Sequence, residues 1–269
     1  MRLNQWVNEM GMPGQSGTGS SSAGLGSRAV LASLMVVLCL TITGCASGPT
    51  ANPRDPFESF NRSVFGFNDA VDRAVLKPVA IAYRQITPEP VRAGVGNFFA
   101  NLEDFWSLAN SVLQLKGRAA VDSVLRVSVN TFLGLGGVID LAGAMGIERH
   151  PEDFGQTLGR WGVAAGPYVV LPLLGNFTLR DAAALPVDFK GDMVTNLSHR
   201  PTRLSLKAVN LIDSRSEFLN ASSVLDAAAL DKYTFTRDAH LQRRRSAVYD
   251  GNPPDEDADA DADAKPPAK

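Results

Sequence analysis

Apolar residues recur at steps of three and four along most of the chain, and this spacing is typical of one face of an α-helix. Phe60, Val64 and Phe67 belong to the first such stripe. Proline lacks the amide hydrogen that a helix interior needs, so this first helix is predicted to end before Pro78. The helices predicted in this way cover residues 57–77, 88–113, 117–133, 202–219 and 231–249. The pattern therefore predicts an all-α protein built from amphipathic helices.

One uncharged stretch runs for nineteen residues, from Trp161 to Leu179, yet it does not read as a membrane span. It contains Pro167 and Pro172, and a proline inside a helix costs ~3 kcal/mol. Within it, residues 168–171 are the best strand candidate, and the proline that follows argues against a central strand. Broken backbone survives at membrane depth only when protein or a water-filled cavity covers it. The stretch therefore predicts a membrane-embedded protein that encloses something.

A second segment, residues 134–146, holds five glycines and a single charge, Asp140. Glycine allows close backbone approach, so the segment is predicted to form a hairpin against another part of the fold. An unpaired charge that faces hydrocarbon is costly, so Asp140 is expected to face channel water or a basic partner. The alternative is that Asp140 caps a helix and the glycines only allow close packing.

The N-terminus has the pattern of an export signal. An apolar run from Ala29 to Thr43 follows Arg28, and the run closes with Ile-Thr-Gly-Cys45. This ending resembles the lipobox of bacterial lipoproteins, in which the cysteine is acylated and becomes the first mature residue. A signal peptide is predicted over residues 1–44 and a flexible tether over 45–54, with an uncleaved anchor helix as the alternative. Many inner-membrane lipoproteins carry Asp directly after the cysteine, whereas this chain has Ala46, so the resemblance favours sorting to the outer membrane.

Charge excludes one class of function. The chain has 26 basic and 28 acidic residues, but seven of the acidic ones lie in residues 250–269, which are predicted to be a disordered acidic tail. Without the leader and this tail, 22 basic and 20 acidic residues remain. Nucleic-acid binding needs a concentrated basic surface, which this balance does not supply. The basic cluster at residues 243–245 is predicted to be a solvated helix end.

No catalytic or metal-binding pattern is present in the sequence. The histidines, at 150, 199 and 240, lie far apart, and no Gly-x-Ser-x-Gly elbow occurs. The adjacent acidic pairs at 103–104 and 152–153 are predicted to be helix caps, because neighbours on a helix point apart. We therefore predict no metal, no cofactor and no enzymatic activity.

Several blocks of sequence, in a fixed order, resemble the MlaA (VacJ) outer-membrane lipoproteins. They lie within residues 55–249, the predicted domain, and include 55–62, 92–98, 130–140, 154–162, 166–168 and 175–181. The resemblance implies a helical ring in the periplasmic leaflet of the outer membrane, with an amphipathic channel. It also implies removal of phospholipids misplaced in the outer leaflet. The implied partners are phospholipids, outer-membrane porin trimers, the periplasmic carrier MlaC and, through it, the inner-membrane MlaFEDB transporter. The alternative is a lipoprotein with a structural or assembly role.

The candidate site residues fall into four groups. Lipidation is expected at Cys45. The channel and hairpin candidates are Gly134, Gly136, Gly137, Asp140, Gly143 and Gly146. The ring-wall candidates are Phe154, Trp161, Gly166, Pro167, Tyr168 and Pro172. The candidates on the helix near the gate are Phe60, Asn61, Phe67 and Asn68.

Overall fold

The structure is a computed structural model, and it describes residue 52 and residues 54–254. The predicted signal peptide, Cys45, most of the predicted tether and residues 255–269 of the predicted tail lie outside the described residues.

The described residues are mostly helical, which confirms the predicted class, and they include one two-stranded sheet. The first half contains α1 (Glu58–Val71), a π-helical segment (Asp72–Leu76), α2 (Lys77–Ile86), α3 (Glu89–Leu113), α4 (Gly117–Phe132), α5 (Leu141–Ala144) and α6 (Phe154–Arg160). The second half contains β1 (Tyr168–Leu171), β2 (Gly175–Thr178), α7 (Leu179–Gly191), α8 (Arg200–Glu217), α9 (Leu219–Ala228) and α10 (Lys232–Val248).

The prediction that the first helix ends before Pro78 is wrong. Helical backbone continues through the π-helical segment into α2, which carries Pro78 in its first turn. The amide of Lys77 bonds to the carbonyl of Asp72, five residues back, so the backbone is widened just before the proline. Proline is tolerated in the first turn of a helix, where its missing N–H would have no partner in any case.

The strand predicted at 168–171 is confirmed, although its partner β2 was not predicted. The two strands pair antiparallel, with Tyr168 opposite Thr178 and Leu171 opposite Gly175. The helices predicted near 88–113, 117–133, 202–219 and 231–249 are also confirmed, with each end within two residues of the prediction. Helices α6, α7 and α9 were not predicted, because they are short or carry a weak apolar stripe.

The two ends of the folded body meet at Asp55, which is fully buried. Asn61 of α1 donates a hydrogen bond to its Oδ1 (2.8 Å), and the hydroxyl of Tyr233 on α10 donates to its Oδ2 (2.5 Å). Arg237, also on α10, pairs with the same carboxylate at 3.2 Å. Because a buried charge is costly unless it is paired, this cluster fixes α10 against the start of α1.

The distribution of polar and apolar side chains is inverted relative to a water-soluble protein. Among the described residues, twenty polar or charged side chains are buried, against ten hydrophobic ones. Large hydrophobic side chains lie instead on the surface, in particular along the outer face of α4, where Phe132 is 83% exposed. A surface of this kind marks contact with a membrane or with another protein.

Three turns each expose a leucine in the left-handed backbone conformation. Leu115, Leu135 and Leu173 have φ values of 58°, 55° and 62° and are 91%, 72% and 70% exposed. This conformation costs about 1–2 kcal/mol for a residue with a Cβ. Glycine or asparagine would relieve it, so the apolar side chain is kept at the tip of each turn despite the strain.

Among the helices in the described part of the chain, none combines the length and the apolar character that crossing a bilayer would require.

Candidate functional site

A cleft of about 410 Å³ lies between α3, the loop before α6, the end of α7 and α8. One part of its wall is apolar and consists of Phe99, Leu102, Trp106, Pro151, Phe189 and Val194. The ionisable side chains of the wall are Glu103, Glu152, Asp153, Asp188, Asp192 and Lys207. A mixed wall of this kind suits an amphipathic ligand, which has both an apolar and a charged part.

Four of the five cleft carboxylates are already paired with a cation. The pairs are Glu103 with Arg149 (3.0 Å), Glu152 with Lys116 (2.7 Å), Asp153 with Arg244 (2.5 Å) and Asp192 with Lys207 (3.8 Å). Asp188 is the exception, because it forms no ion pair with any described residue. Burial raises the pKa of Asp188, although two hydrogen bonds to the carboxylate act in the opposite direction.

Asp188 is held by one oxygen only. Its Oδ1 accepts a hydrogen bond from the indole Nε1 of Trp106 (2.8 Å) and another from the backbone N–H of Phe154 (2.8 Å). The indole lies against the end of α7, where a Cβ on Gly191 would come within 2.2 Å of the ring. Only glycine fits there, so Gly191 allows Trp106 and Asp188 to be locked together at the cleft wall.

A network of buried charges lies beneath the glycine-rich segment, centred on Arg126 of α4. Its guanidinium pairs with Asp104 (3.2 Å) and Asp140 (3.1 Å) and donates to the carbonyl of Ile147 (2.8 Å). Arg149 pairs with the other oxygen of Asp104 at 2.7 Å. A buried arginine that bonds through all three of its guanidinium nitrogens is an effective cross-link, here between α3, α4 and the loop that contains Asp140.

Asp140 has both a basic partner and a capping role. It accepts hydrogen bonds from the backbone of Gly143 and the side chain of Asn130, each at 2.9 Å, and so caps α5. Burial acts to raise the pKa of Asp140, but these hydrogen bonds and the charge of Arg126 outweigh burial and lower it. The carboxylate is therefore ionised and paired.

The glycine-rich segment folds as consecutive turns followed by α5, and three of its glycines allow close packing. A Cβ on Gly134 would lie 2.2 Å from the carbonyl oxygen of Ile139, and one on Gly137 would lie 2.5 Å from Cβ of Asn101. Gly143 packs on Asp140 in the same way, at 2.3 Å. Gly136 and Gly146 have positive φ and open space around them.

Two asparagines of α1 grip strand β1 and the turn that follows it. Asn61 donates to the carbonyl of Tyr168 (3.0 Å) and accepts from the N–H of Val170 (2.9 Å). Asn68 donates to the carbonyl of Leu171 (3.0 Å) and accepts from the N–H of Leu173 (2.8 Å). Seven residues of helix and three of strand both span about 10 Å, which explains why the two sets match. Phe60 and Phe67, also predicted for this helix, are exposed.

The ring-wall candidates are only partly brought together. Phe154 and Trp161 pack edge to face, with ring centroids 6.2 Å apart, and the Trp161 indole donates to the carbonyl of Leu113 (3.1 Å). Tyr168 is buried in β1, whereas Gly166, Pro167 and Pro172 flank that strand. None of the residues predicted as channel, hairpin, ring-wall or gate candidates lines the cleft.

The two adjacent acidic pairs of the sequence, at 103–104 and 152–153, have different roles in the structure. Asp153 caps α6 by accepting from the N–H of Gln156 (2.8 Å), as predicted. The capping prediction for Glu103 and Asp104 is wrong, because both lie inside α3, where they pair with arginines. These pairs were the signal in the sequence that could have pointed to the cleft.

The prediction of a solvated helix end at 243–245 is also wrong for Arg244. Its guanidinium bonds Asp153 (2.5 Å) and Asp181 (2.7 Å) and thereby holds α10 against α6 and α7. Burial acts to lower the pKa of Arg244, but the two carboxylates raise it, so the side chain stays charged.

Known proteins resemble the chain over most of its length. A lipoprotein of Escherichia coli (strain K12), named intermembrane phospholipid transport system lipoprotein MlaA, is 36% identical over 200 and more residues, which cover 75% of this chain and 82% of that protein. The protein of the same name in Haemophilus influenzae is 32% identical and covers 83% and 92%. An uncharacterised protein of Rickettsia felis is 36% identical, with coverage of 74% and 80%.

A solved structure agrees with these relatives. This structure, described as "Structural basis for maintenance of bacterial outer membrane lipid asymmetry", is 37% identical in sequence to this chain. The TM-score is 0.65, and the match covers 72% of this chain and 98% of the solved one. The family model described as MlaA lipoprotein matches residues 53–247. With the family model, the relatives and the solved structure in agreement, this chain belongs to the MlaA lipoprotein family.

Proposed function

We propose that this chain removes phospholipids misplaced in the outer leaflet of the outer membrane and passes them to a periplasmic carrier, so that lipid asymmetry is maintained. The observation that carries the proposal is the inverted fold, with polar side chains inside and hydrophobic side chains outside. Such a body is stable when lipid surrounds it, because its exposed apolar faces are then removed from water. The names of the relatives point to the same transport system.

The cleft supplies the physical step that transport needs. A phospholipid headgroup that crosses hydrocarbon must leave its hydration shell, which is costly. A wall that carries both charged residues, such as Asp188 and Lys207, and apolar ones, such as Phe99 and Leu102, lowers that cost, because each part of the lipid can meet a matching surface. No bond needs to be broken, so the proposed activity is transport and not catalysis.

The proposed setting is the periplasmic leaflet of the outer membrane of a Gram-negative bacterium, in a ring of helices around a central channel. Cys45, once acylated, holds the chain there, because several buried acyl chains contribute ~0.8 kcal/mol per methylene. The proposed partners are porin trimers, MlaC and the inner-membrane MlaFEDB transporter.

The glycine-rich segment at 134–146 is proposed as the gate of the lipid path. Gly137 is a poor place to test it, because its substitution would disturb the packing on Asn101. Gly136 has positive φ and nothing within 4 Å, so a substitution there meets no neighbour and acts through the backbone, because a β-branched side chain is strained in this left-handed conformation. Gly136→Val is expected to slow transport while the protein still reaches the membrane.

The test of function uses a Gram-negative strain that lacks its own family member. The wild-type chain is expected to restore low outer-leaflet phospholipid, measured by labelling or enzymatic modification at the surface of intact cells. Cys45→Ala is expected to fail, because the protein is no longer anchored. If outer-leaflet phospholipid does not respond while porin assembly does, the chain has the alternative structural or assembly role.

A further inference from the structure

We propose that the cleft prefers phospholipids whose headgroup carries a primary ammonium, because Asp188 presents an open carboxylate oxygen to it. This inference rests on the proposed function, since it takes phospholipid to be the cargo.

The charge pattern of the cleft favours a ligand with a positive end. Four of its carboxylates are already neutralised by Arg149, Lys116, Arg244 or Lys207. Asp188, which also lines the cleft, is the one of the five that forms no ion pair with a described residue, although the charge of Arg244 acts on it at longer range. A ligand ammonium in the cleft would therefore complete the one unpaired charge.

The geometry of Asp188 suits a donor that arrives from the cleft. Both of its donors from the protein, Trp106 and Phe154, bond to Oδ1, and Oδ2 receives no hydrogen bond from a described residue. Oδ2 is not among the fully enclosed polar atoms that lack a partner, and Asp188 is one of the residues that line the cleft. The carboxylate is fixed, and little order has to be imposed when a ligand binds.

The remainder of the wall suits the rest of such a lipid. Lys207 lies above the ring of Phe189, 5.7 Å from its centroid, and pairs only loosely with Asp192 at 3.8 Å. An ammonium has three donors, so Lys207 can contact a phosphate while it keeps Asp192 as a partner. Phe99, Leu102 and Val194 offer apolar surface for the first methylenes of the acyl chains. A glycerol headgroup has the same phosphate but no ammonium, so it would leave Asp188 unpaired.

The test measures which lipid the purified full-length protein takes up. Detergent-free protein is incubated with vesicles that contain equimolar phosphatidylethanolamine and phosphatidylglycerol, and bound lipid is quantified by mass spectrometry after separation. Wild type is expected to be enriched in phosphatidylethanolamine by about two- to fivefold, the size of effect that a part-exposed ion pair gives. Asp188→Asn, which keeps the acceptor for Trp106, is expected to return the ratio to that of the vesicles.

The matched control is Asp226→Asn, which removes an exposed carboxylate that pairs with Lys77 and Lys232 away from the cleft. It should keep the wild-type enrichment. A second measurement needs no variant: phosphatidylcholine, whose quaternary ammonium has no N–H, should lose the enrichment over phosphatidylglycerol. The inference would be overturned if the lipid bound to wild type had the same headgroup ratio as the vesicles. It would also be overturned if the enrichment in phosphatidylethanolamine persisted in Asp188→Asn. The total amount of lipid bound reports separately on the proposed function, because it does not depend on the headgroup ratio.

Discussion

At the scale of single residues, buried or half-buried arginines organise this fold. Arg126 and Arg244 each bind two carboxylates from different elements, and the planar guanidinium lets one side chain do so. Hydrophobic side chains hold most soluble domains together, but here they lie outside. The ion pairs between these arginines and carboxylates therefore provide part of the stabilisation that holds the helices together.

Loss of Arg126 should be severe. Arg126→Met leaves Asp104 buried with fewer partners and Asp140 without its cation, so we expect the free energy of unfolding to fall by about 3 kcal/mol. The measurement is urea unfolding in a mild detergent, followed by circular dichroism. Arg118→Met is the control on the same helix, because Arg118 is exposed and its nearest carboxylate is 3.8 Å away. An equal effect of the two substitutions would contradict this account.

His240 should make stability depend on pH. Burial lowers its pKa from 6.5 to about 4, against a smaller opposite influence of Asp181. The unfolded chain gains a proton on His240 below pH 6.5, whereas the folded protein does not until about pH 4. The free energy of unfolding should therefore fall as pH drops from about 6.5 to about 4, and His240 should add no slope above that window.

His240→Phe separates this residue from other titrating groups. Phenylalanine keeps the ring contact with Tyr168, whose centroid lies 6.0 Å away, and removes the buried Nε2, which has no hydrogen-bond partner. The variant should lose part of the acid-side slope without loss of stability at pH 7. An unchanged slope would show that other groups cause it.

At the scale of elements, the sequence predicted the helices with long regular stripes and the strand β1. It could not predict the π-helical segment, because a proline signals a stop and the local pattern gives no sign that a wider turn precedes it. It also missed the role of Asn61 and Asn68. They lie seven residues apart on α1, but polar residues on a helix are commonly solvated, and the strand they bind lies about 100 residues away.

The second asparagine clamp can be removed by itself. Asn68→Leu takes away the bonds to Leu171 and Leu173, so amide exchange in residues 171–178 should accelerate about thirtyfold, as expected for loss of two hydrogen bonds worth about 1 kcal/mol each. Gly66→Ala is the control on the same helix, since a Cβ there meets nothing within 4 Å. It should leave exchange unchanged. Equal exchange rates in both variants would mean that the pairing of β1 with β2 is enough to hold these two strands in place.

At the scale of the whole molecule, the exposed hydrophobic faces predict where lipid lies. A fluorescent label on Phe132→Cys, on the outer face of α4, should be quenched by brominated acyl chains in reconstituted vesicles. A label on Asp238→Cys, a polar exposed position on α10, should be quenched less. Equal quenching would mean that the α4 face meets protein and not lipid. The hydrophobic helix faces could be predicted from the sequence, because the apolar residues that form them recur there at helical spacing.

The cleft was not predictable in the same way. Its wall comes from α3, the loop before α6, α7 and α8, and no local pattern brings these together. The glycine-rich segment and the uncharged stretch drew the sequence-based prediction because they are unusual in composition. Asp188 and Gly191 belong to no unusual sequence pattern. Their importance is seen only in the structure, where both lie against Trp106.

The hydrogen bonds from α1 to β1 also protect the protein against association through the edge of that strand. A short two-stranded sheet exposes two edges of unsatisfied backbone, and such edges recruit strands from other chains. Here the outer edge of β1 is already occupied: Asn61 and Asn68 bond to it, and the N–H of Tyr168 bonds to the carbonyl of Arg54 at 3.0 Å. A helix thus takes the place of a third strand, and self-association through that edge is blocked before the protein reaches its membrane.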